Sequence, residues 1–284
     1  MNTIVRINCF FLLLFFACNS LKGQLCYPIA GTYEGKDAQG MAIYGRNAFL
    51  LSNTGMCRVF NLKTKRQVAS FRLGCYAEKN HANCASFGIE TIEDSGIPVM
   101  YVSECAGKCR CFVESISDTS SILVQTIHLD RKGMDAIAHD WVVDKKSKSL
   151  YSIARWQYNS DSTMRTYAHR INRYRLPKLS EGKNVTLTDA DVLDSFDVSF
   201  LNMLQGATIK GKYLYLPTGL FDTPKGRMDK ERALIVVNLK AHKIVKKIDL
   251  TDLTSNEPED CAFYKGKLLL YCGQSGGLYE IPTK

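Results

Sequence analysis

His81, Asp140, Glu259 and Asp260 are the side chains of this sequence best suited to chemistry. A histidine titrates near neutrality and serves as a general base or a metal ligand. Carboxylates at Asp140, Glu259 and Asp260 would hold a divalent cation or form an acid/base pair. Gln39, Asn83 and Gln205 add amide donors and acceptors of the kind that meet sugar hydroxyls or bound water. These residues are scattered along the chain, so they act together only if the fold gathers them. A structural role competes at every one of them, because buried polar groups need partners whatever their function. Neighbours in a strand point to opposite faces, so His139 and Asp140 cannot both face one site, nor can Glu259 and Asp260. Counted back from the next turn glycine, Asp260 aligns with Gln39 and Gln205.

The elements that would position them are read from internal repetition. "QGMAIYGRNAFLL" (39–51) returns as "QGATIKGKYLYLP" (205–217), and "VFNLKTKRQVASFRL" (59–73) returns as "VVNLKAHKIVKKIDL" (236–250). Each unit runs strand, glycine turn (Gly45, Gly211), strand, a third strand ending in "NLK", a charged tip and a fourth strand. Short glycine-containing turns between alternating runs are hairpin signals. The second copy is longer, which places an insertion at "FDTPKGRMDKE" (221–231). Residues 82–129 supply four more strands, and 137–200 supply another set with its fourth strand near 192–200. Residues 260–282 supply only three, and "CYPIAGTYEG" (26–35) is a spare strand that completes them. "TLTDADVL" (186–193) forms a single turn with an acidic start. The fold is therefore all-β, a five-bladed β-propeller whose last blade is closed by the N-terminal strand, with six blades as the alternative. In such a ring the first strand of every blade lines a central channel. The starts at Gln39, His81-Ala82-Asn83, His139-Asp140, Gln205 and Glu259-Asp260 would meet at one mouth, with Trp141 packed between blades. His169 and His242 are expected at the surface.

Residues 1–17, "MNTIVRINCFFLLLFFA", read as a signal peptide: a basic start and an apolar run too short to span a bilayer. "FFAC" resembles a lipobox, which would lipidate Cys18; an ordinary cut before Gln24 is the alternative. Residues 24–284 then form one exported domain, periplasmic or held at the outer membrane by its lipid. The net charge of +9 falls at hairpin tips, "KTKR" (63–66), "DKKSK" (144–148) and "KGRMDKER" (225–232), which read as solvated charge. No basic stripe interleaved with aromatics points to nucleic acid. Of the 11 cysteines, "CAGKCRC" (105–111) has the tightest spacing; without a second pair it reads as a local disulfide or buried thiols, not a metal site.

"QGMAI", "NTGMC", "NHAN", "MYVSEC", "RCFVE", "LVQTI" and "EPEDCAFY" together resemble a set of exported β-propeller proteins of gut Bacteroidetes that carry no assigned activity. The likeness runs from about residue 36 to 282 and implies fold and export. The Gln-Gly and His-Ala-Asn starts also resemble the five-bladed propellers of helveticin-type bacteriocins and phage receptor-binding proteins, which implies binding of a surface glycan. Five-bladed glycosidases place acids on three blades, including an early one; Gln39 stands there instead. No nucleophile elbow, zinc-protease helix or phosphate loop is present.

Three functions follow as expectations. The first is a ligand-binding propeller, taking a glycan or small molecule at the channel mouth through Gln39, His81, Asn83, Asp140, Gln205, Glu259 and Asp260. The second is a hydrolase or lyase built on His81, Asp140 and Glu259, with a divalent cation as the one cofactor the acids would hold. The third is a partner-binding scaffold with an inert channel. The chain is expected to be a monomer that meets a membrane only through its lipid.

Overall fold

The computed structural model describes residues 24–28, 38–93, 95–105, 108, 110–117, 119–130, 139–158, 166–201, 203–220, 231–273 and 277–282. The signal segment, Cys18 and most of the 221–231 insertion lie outside them. The strands form five sheets set around an axis, four of them wholly antiparallel. The first blade is β1's successor in the chain: β1 spans Gln24–Pro28, and the blade itself is β2 (Ala38–Tyr44), β3 (Asn47–Ser52), β4 (Met56–Asn61) and β5 (Arg66–Arg72). The second is β6 (Ala82–Thr91), β7 (Pro98–Glu104), β8 (Cys111–Ile116) and β9 (Ser121–Asp130). The third is β10 (His139–Asp144), β11 (Ser149–Tyr158) and β12 (Thr166–Arg175), closed not by the next strand β13 (Asn184–Thr188) but by β14 (Val192–Leu201). The fourth is β15 (Thr208–Lys210), β16 (Tyr213–Thr218), β17 (Ala233–Asn238) and β18 (Lys243–Asp249). The fifth is β19 (Pro258–Tyr264), β20 (Lys267–Cys272) and β21 (Gly277–Ile281), completed by β1, which pairs antiparallel with β21 from Gln24↔Glu280 to Pro28↔Gly277. The five-bladed propeller and its closure by the N-terminal strand are thus both present. The 221–231 insertion falls between β16 and β17, where the first blade has only a tight turn.

Burial follows position in the blade. The inner strands β2, β10 and β19 are covered along nearly their whole length, as strands packed on both faces must be. The outer strand β18 alternates between exposed and partly covered residues, and its lysines guard a free sheet edge. Each blade packs on the next through its own apolar cluster. Phe49 and Val59 meet Phe87 and Val102; Tyr101 and Val113 meet Trp141 and Leu150; Ile153 and Ile171 meet Leu214 and Ile235. Leu234 and Ile248 meet Leu268 and Leu270, and Met41 and Leu50 meet Leu269 and Leu278, which closes the ring. Trp141 is wholly buried at the interface of the second and third blades, as expected.

The repeated motifs are turn devices. Gly45 and Gly211 take φ of 60° and 64° at the first turn position of their hairpins, a conformation that favours glycine. In "NLK", the Asn61 carboxamide oxygen accepts the Lys63 and Thr64 amides, and Asn238 does the same for Lys240 and Ala241. The leucine turns inward, and its amide reaches the blade's other hairpin: Leu62 N–H donates to the Arg46 carbonyl and Leu239 N–H to that of Lys212; Leu176, just after β12, bonds Lys148 in the same way. In the first and fourth blades these bonds fasten both hairpin tips to the same side of the ring.

One element had no counterpart in the sequence reading. After β12 the chain crosses back to the second blade, where β13 pairs in parallel with β9, from Asn184↔Thr126 to Thr188↔Asp130. Gln125 holds the crossing segment by donating to the carbonyls of Lys178 and Gly182. The expected single turn is a 3-10 turn at Asp189–Asp191. His169 is a correction: it is buried, not superficial, because β12 starts at Thr166 and places it in mid-strand, stacked on Phe200 at 4.1 Å. His242 is at a tip, as expected, stacked on Phe196 and bonded to Asp194 at 3.0 Å.

Candidate functional site

The inner strands bring the expected residues together, and they fill the axis. Gln39, Asn83, Asp140, Gln205, Glu259 and Asp260 are each at most 6% exposed. Asp260 is the hub. Its Oδ2 accepts the backbone amides of Met41 (2.8 Å) and Ala85 (3.1 Å), and its Oδ1 those of Ala207 (3.2 Å) and Cys261 (2.8 Å). One carboxylate therefore ties the inner strands of the first, second, fourth and fifth blades. The third blade is held beside it: Asn83 Nδ2 donates to Asp140 Oδ1 at 2.9 Å and to the Gln205 carbonyl at 2.5 Å. Met41, Ala85 and Ala207 occupy matching places, so Asn83, two residues before Ala85, is the counterpart of Gln39 and Gln205.

The Gln-Gly pairs have a steric cause. A Cβ on Gly206 would stand 2.5 Å from Asp260 Oδ1 and 2.6 Å from the Glu259 carbonyl; one on Gly40 would stand 2.9 Å from the Asn83 carbonyl. Glycine is required because strands converge at the axis. Gln205 bonds outward, its Nε2 donating to the Gly219 carbonyl at 2.7 Å and to Glu257 Oε1 at 2.5 Å. Glu259 points away from Asp260, with its carboxylate against Gly273 and close enough to Cys272 to raise that thiol's pKa behind burial itself. His81 precedes β6, is partly covered, and donates its backbone amide to Asn80 Oδ1 at 2.8 Å.

Burial pushes the Asp140 carboxyl up to about 7, against the pull of the Asn83 amide. Burial pushes Asp260 up as well, with Asp140 adding to it, while the amides of Met41, Cys261 and Ala85 oppose the rise. Four N–H donors on its two oxygens suit Asp260 to the ionised form, whereas Asp140 has one donor and is the better place for the proton. No group of three potential metal ligands forms among the described residues. The thiols of Cys57, Cys84, Cys111, Cys261 and Cys272 are buried and free, and burial raises each pKa, which makes them poor nucleophiles.

Open space lies at the other end of the inner strands, where the hairpin tips stand. A cavity of 440 Å³ has a floor of Ala42, Ala85, Val142 and Ala262 and is rimmed by Lys145, Lys146 and Lys210. Arg46, Lys63 and Lys265 line a neighbouring depression of 380 Å³ between the first and fifth blades. Lys146, Lys212 and Lys240 line another of 520 Å³ between the third and fourth, with Asp144 and Asp194. Sequence reasoning looked to the starts of the inner strands and took each lysine tip as solvated in isolation. The signal that would have found this mouth was the recurrence of lysine one to three residues after several inner strands.

No protein-family model matches the chain, and no curated protein matches it. Among solved structures it is similar to the glutaminyl cyclase of Myxococcus xanthus, with a TM-score of 0.53 and 12% identity over 92% of this chain and 95% of that one. Hydrazine synthase of Kuenenia stuttgartiensis (TM-score 0.43, 11% identity, 83% of this chain) and Raptor of Chaetomium thermophilum (0.45, 10%, 93%) are more distant; the chain spans 61% and 29% of their lengths. The cyclase likeness supports the propeller fold.

Proposed function

We propose that this protein is a ligand-binding propeller that takes a small molecule in the cavity at the hairpin-tip mouth. The observation that carries the reading is the contrast between the two ends of the inner strands. The polar groups at their starts are buried, and Asp260, Asn83 and Asp140 are bonded across the axis, while the tip end opens into 440 Å³, a volume usual for small-molecule sites. An enzyme built on His81, Asp140 and Glu259 would need an opened axis and is not favoured by this arrangement. Export, with lipid on Cys18, remains part of the proposal and rests on residues 1–18 of the sequence alone.

Methyl NMR on protein labelled at alanine and valine tests the reading with a fragment library. Binders should shift Ala42, Ala85, Val142 and Ala262. A library whose hits leave these methyls unmoved overturns it and favours the scaffold with an inert channel.

A further inference from the structure

We infer that the ligand of this mouth is a small free anion carrying two or more phosphate or carboxylate groups, bridged between Lys145 and Lys210. This rests on the mouth being the binding site. Lys145, from the tip of the third blade, lies with Nζ 6.0 Å from the ring centre of Phe87 in the second. Lys210, from the fourth blade, lies with Nζ 4.1 Å from the ring centre of Phe263 in the fifth and donates to the Gly266 carbonyl at 3.2 Å. Each lysine thus rests on the aromatic ring of the adjoining blade, which orients both ammonium groups beside one cavity.

The charge around the cavity is unbalanced. Its lining holds Lys145, Lys146 and Lys210 against a single acid, Asp144. Asp144 is occupied locally, accepting the Lys146 amide at 3.0 Å and the Ser147 hydroxyl at 2.6 Å. Lys145 is exposed at the rim, yet the protein around its ammonium lowers its pKa, so a bound anion would relieve a desolvated charge. The apolar floor leaves room for a compact organic body between the anionic groups. The hairpin tips stand around a half-open hollow, which favours a small ligand over a flat membrane. The bland alternative, solvated tips with no common purpose, does not account for lysines from two blades held on rings at one cavity.

The test uses the full mature chain with inorganic pyrophosphate and citrate as probes, and maltose as the neutral control, followed by methyl NMR and calorimetry. Both anions should shift the Ala85, Val142 and Ala262 methyls, and binding should weaken as salt rises. Loss of two ion pairs in Lys145→Met/Lys210→Met should raise the dissociation constant by about tenfold, which is about 1.4 kcal/mol. The Lys145→Arg/Lys210→Arg variant should keep most of the affinity. An unchanged melting temperature in both variants shows that the fold is intact. Neutral ligands that shift the floor methyls equally in the wild type and the methionine variant would overturn the anion and leave the mouth as the site. Lysine-dependent binding of phosphatidylglycerol vesicles or of oligonucleotide, without binding of either small anion, would overturn the small-ligand proposal. Probes of every kind leaving these methyls unmoved would overturn the mouth itself.

Discussion

Asp260→Asn separates a structural carboxylate from a buried burden. In the wild type both oxygens accept, two backbone amides each, from Met41, Ala85, Ala207 and Cys261. The amide variant keeps one acceptor oxygen and turns an NH2 group toward two of the four N–H donors. Each donor left without an acceptor in a dry interior costs about 1–3 kcal/mol, so the variant loses about 2–6 kcal/mol. The opposing effect is relief of a buried charge, which in unpaired settings outweighs what the charge contributes. Here four donors compensate that charge, and the loss should win. At about 2–4 °C per kcal/mol for a chain of this size, the melting temperature should fall by roughly 5–20 °C. Urea unfolding should show a lower midpoint with an unchanged slope. Asp252→Asn, at an exposed position of the same blade's approach, is the control and should change little. A melting temperature for Asp260→Asn within about 2 °C of wild type, or above it, would refute the clamp.

Further outcomes follow from the same geometry. Asp140 has a folded pKa of about 7, above its unfolded value of 3.8, so its contribution is fully present below the unfolded value and is lost as pH rises toward 7; wild type minus Asp140→Asn, measured by urea unfolding from pH 4 to 8, should fall by a few kcal/mol and then level off. A difference that rises over that range contradicts the buried, proton-bearing acid. Gly206→Ala meets Asp260 and the Glu259 carbonyl and should cost about 1–3 kcal/mol or more, whereas Gly211→Ala meets nothing and should cost about 1–2 kcal/mol through its left-handed backbone alone. Equal losses at the two glycines, read by thermal melting, would show that the axis is looser than described. Removal of residues 1–28 uncovers the β21 edge and should lower the melting temperature and promote self-association, seen by size-exclusion chromatography. Labelling with radioactive palmitate should mark the wild type and miss Cys18→Ser.

Repetition made much of this fold legible. "NLK" and the turn glycines recur because the same tip geometry recurs, and the odd strand count of the last unit called for β1. The starts of the inner strands were legible as a group, since closing a ring brings equal positions to one axis. What they do there was not legible. That Asp260 would spend all its accepting capacity on backbone amides depends on the distance between blades, which no local pattern encodes. His169 was misplaced because β12 begins three residues before it, in a stretch with little alternation. The β13 strap was invisible because "NVTLT" pairs in parallel across blades, with no hairpin turn to announce its partner. The lysine-rimmed mouth was hidden for a related reason. Each tip looks ordinary alone, and the topology alone puts them side by side.

The β13 strap and the β1 closure also fix an order of events during synthesis. Strand β1 emerges first, but its partner β21 is nearly the last segment made. The outer edge of the second blade likewise waits for β13, which follows three strands of the third. A chain that folds as it is made therefore leaves β1 without its partner for most of its synthesis and the β9 edge open until β13 appears, and both long-range pairings are slow to form. Whatever holds the chain apart from its neighbours in that interval protects these two edges first.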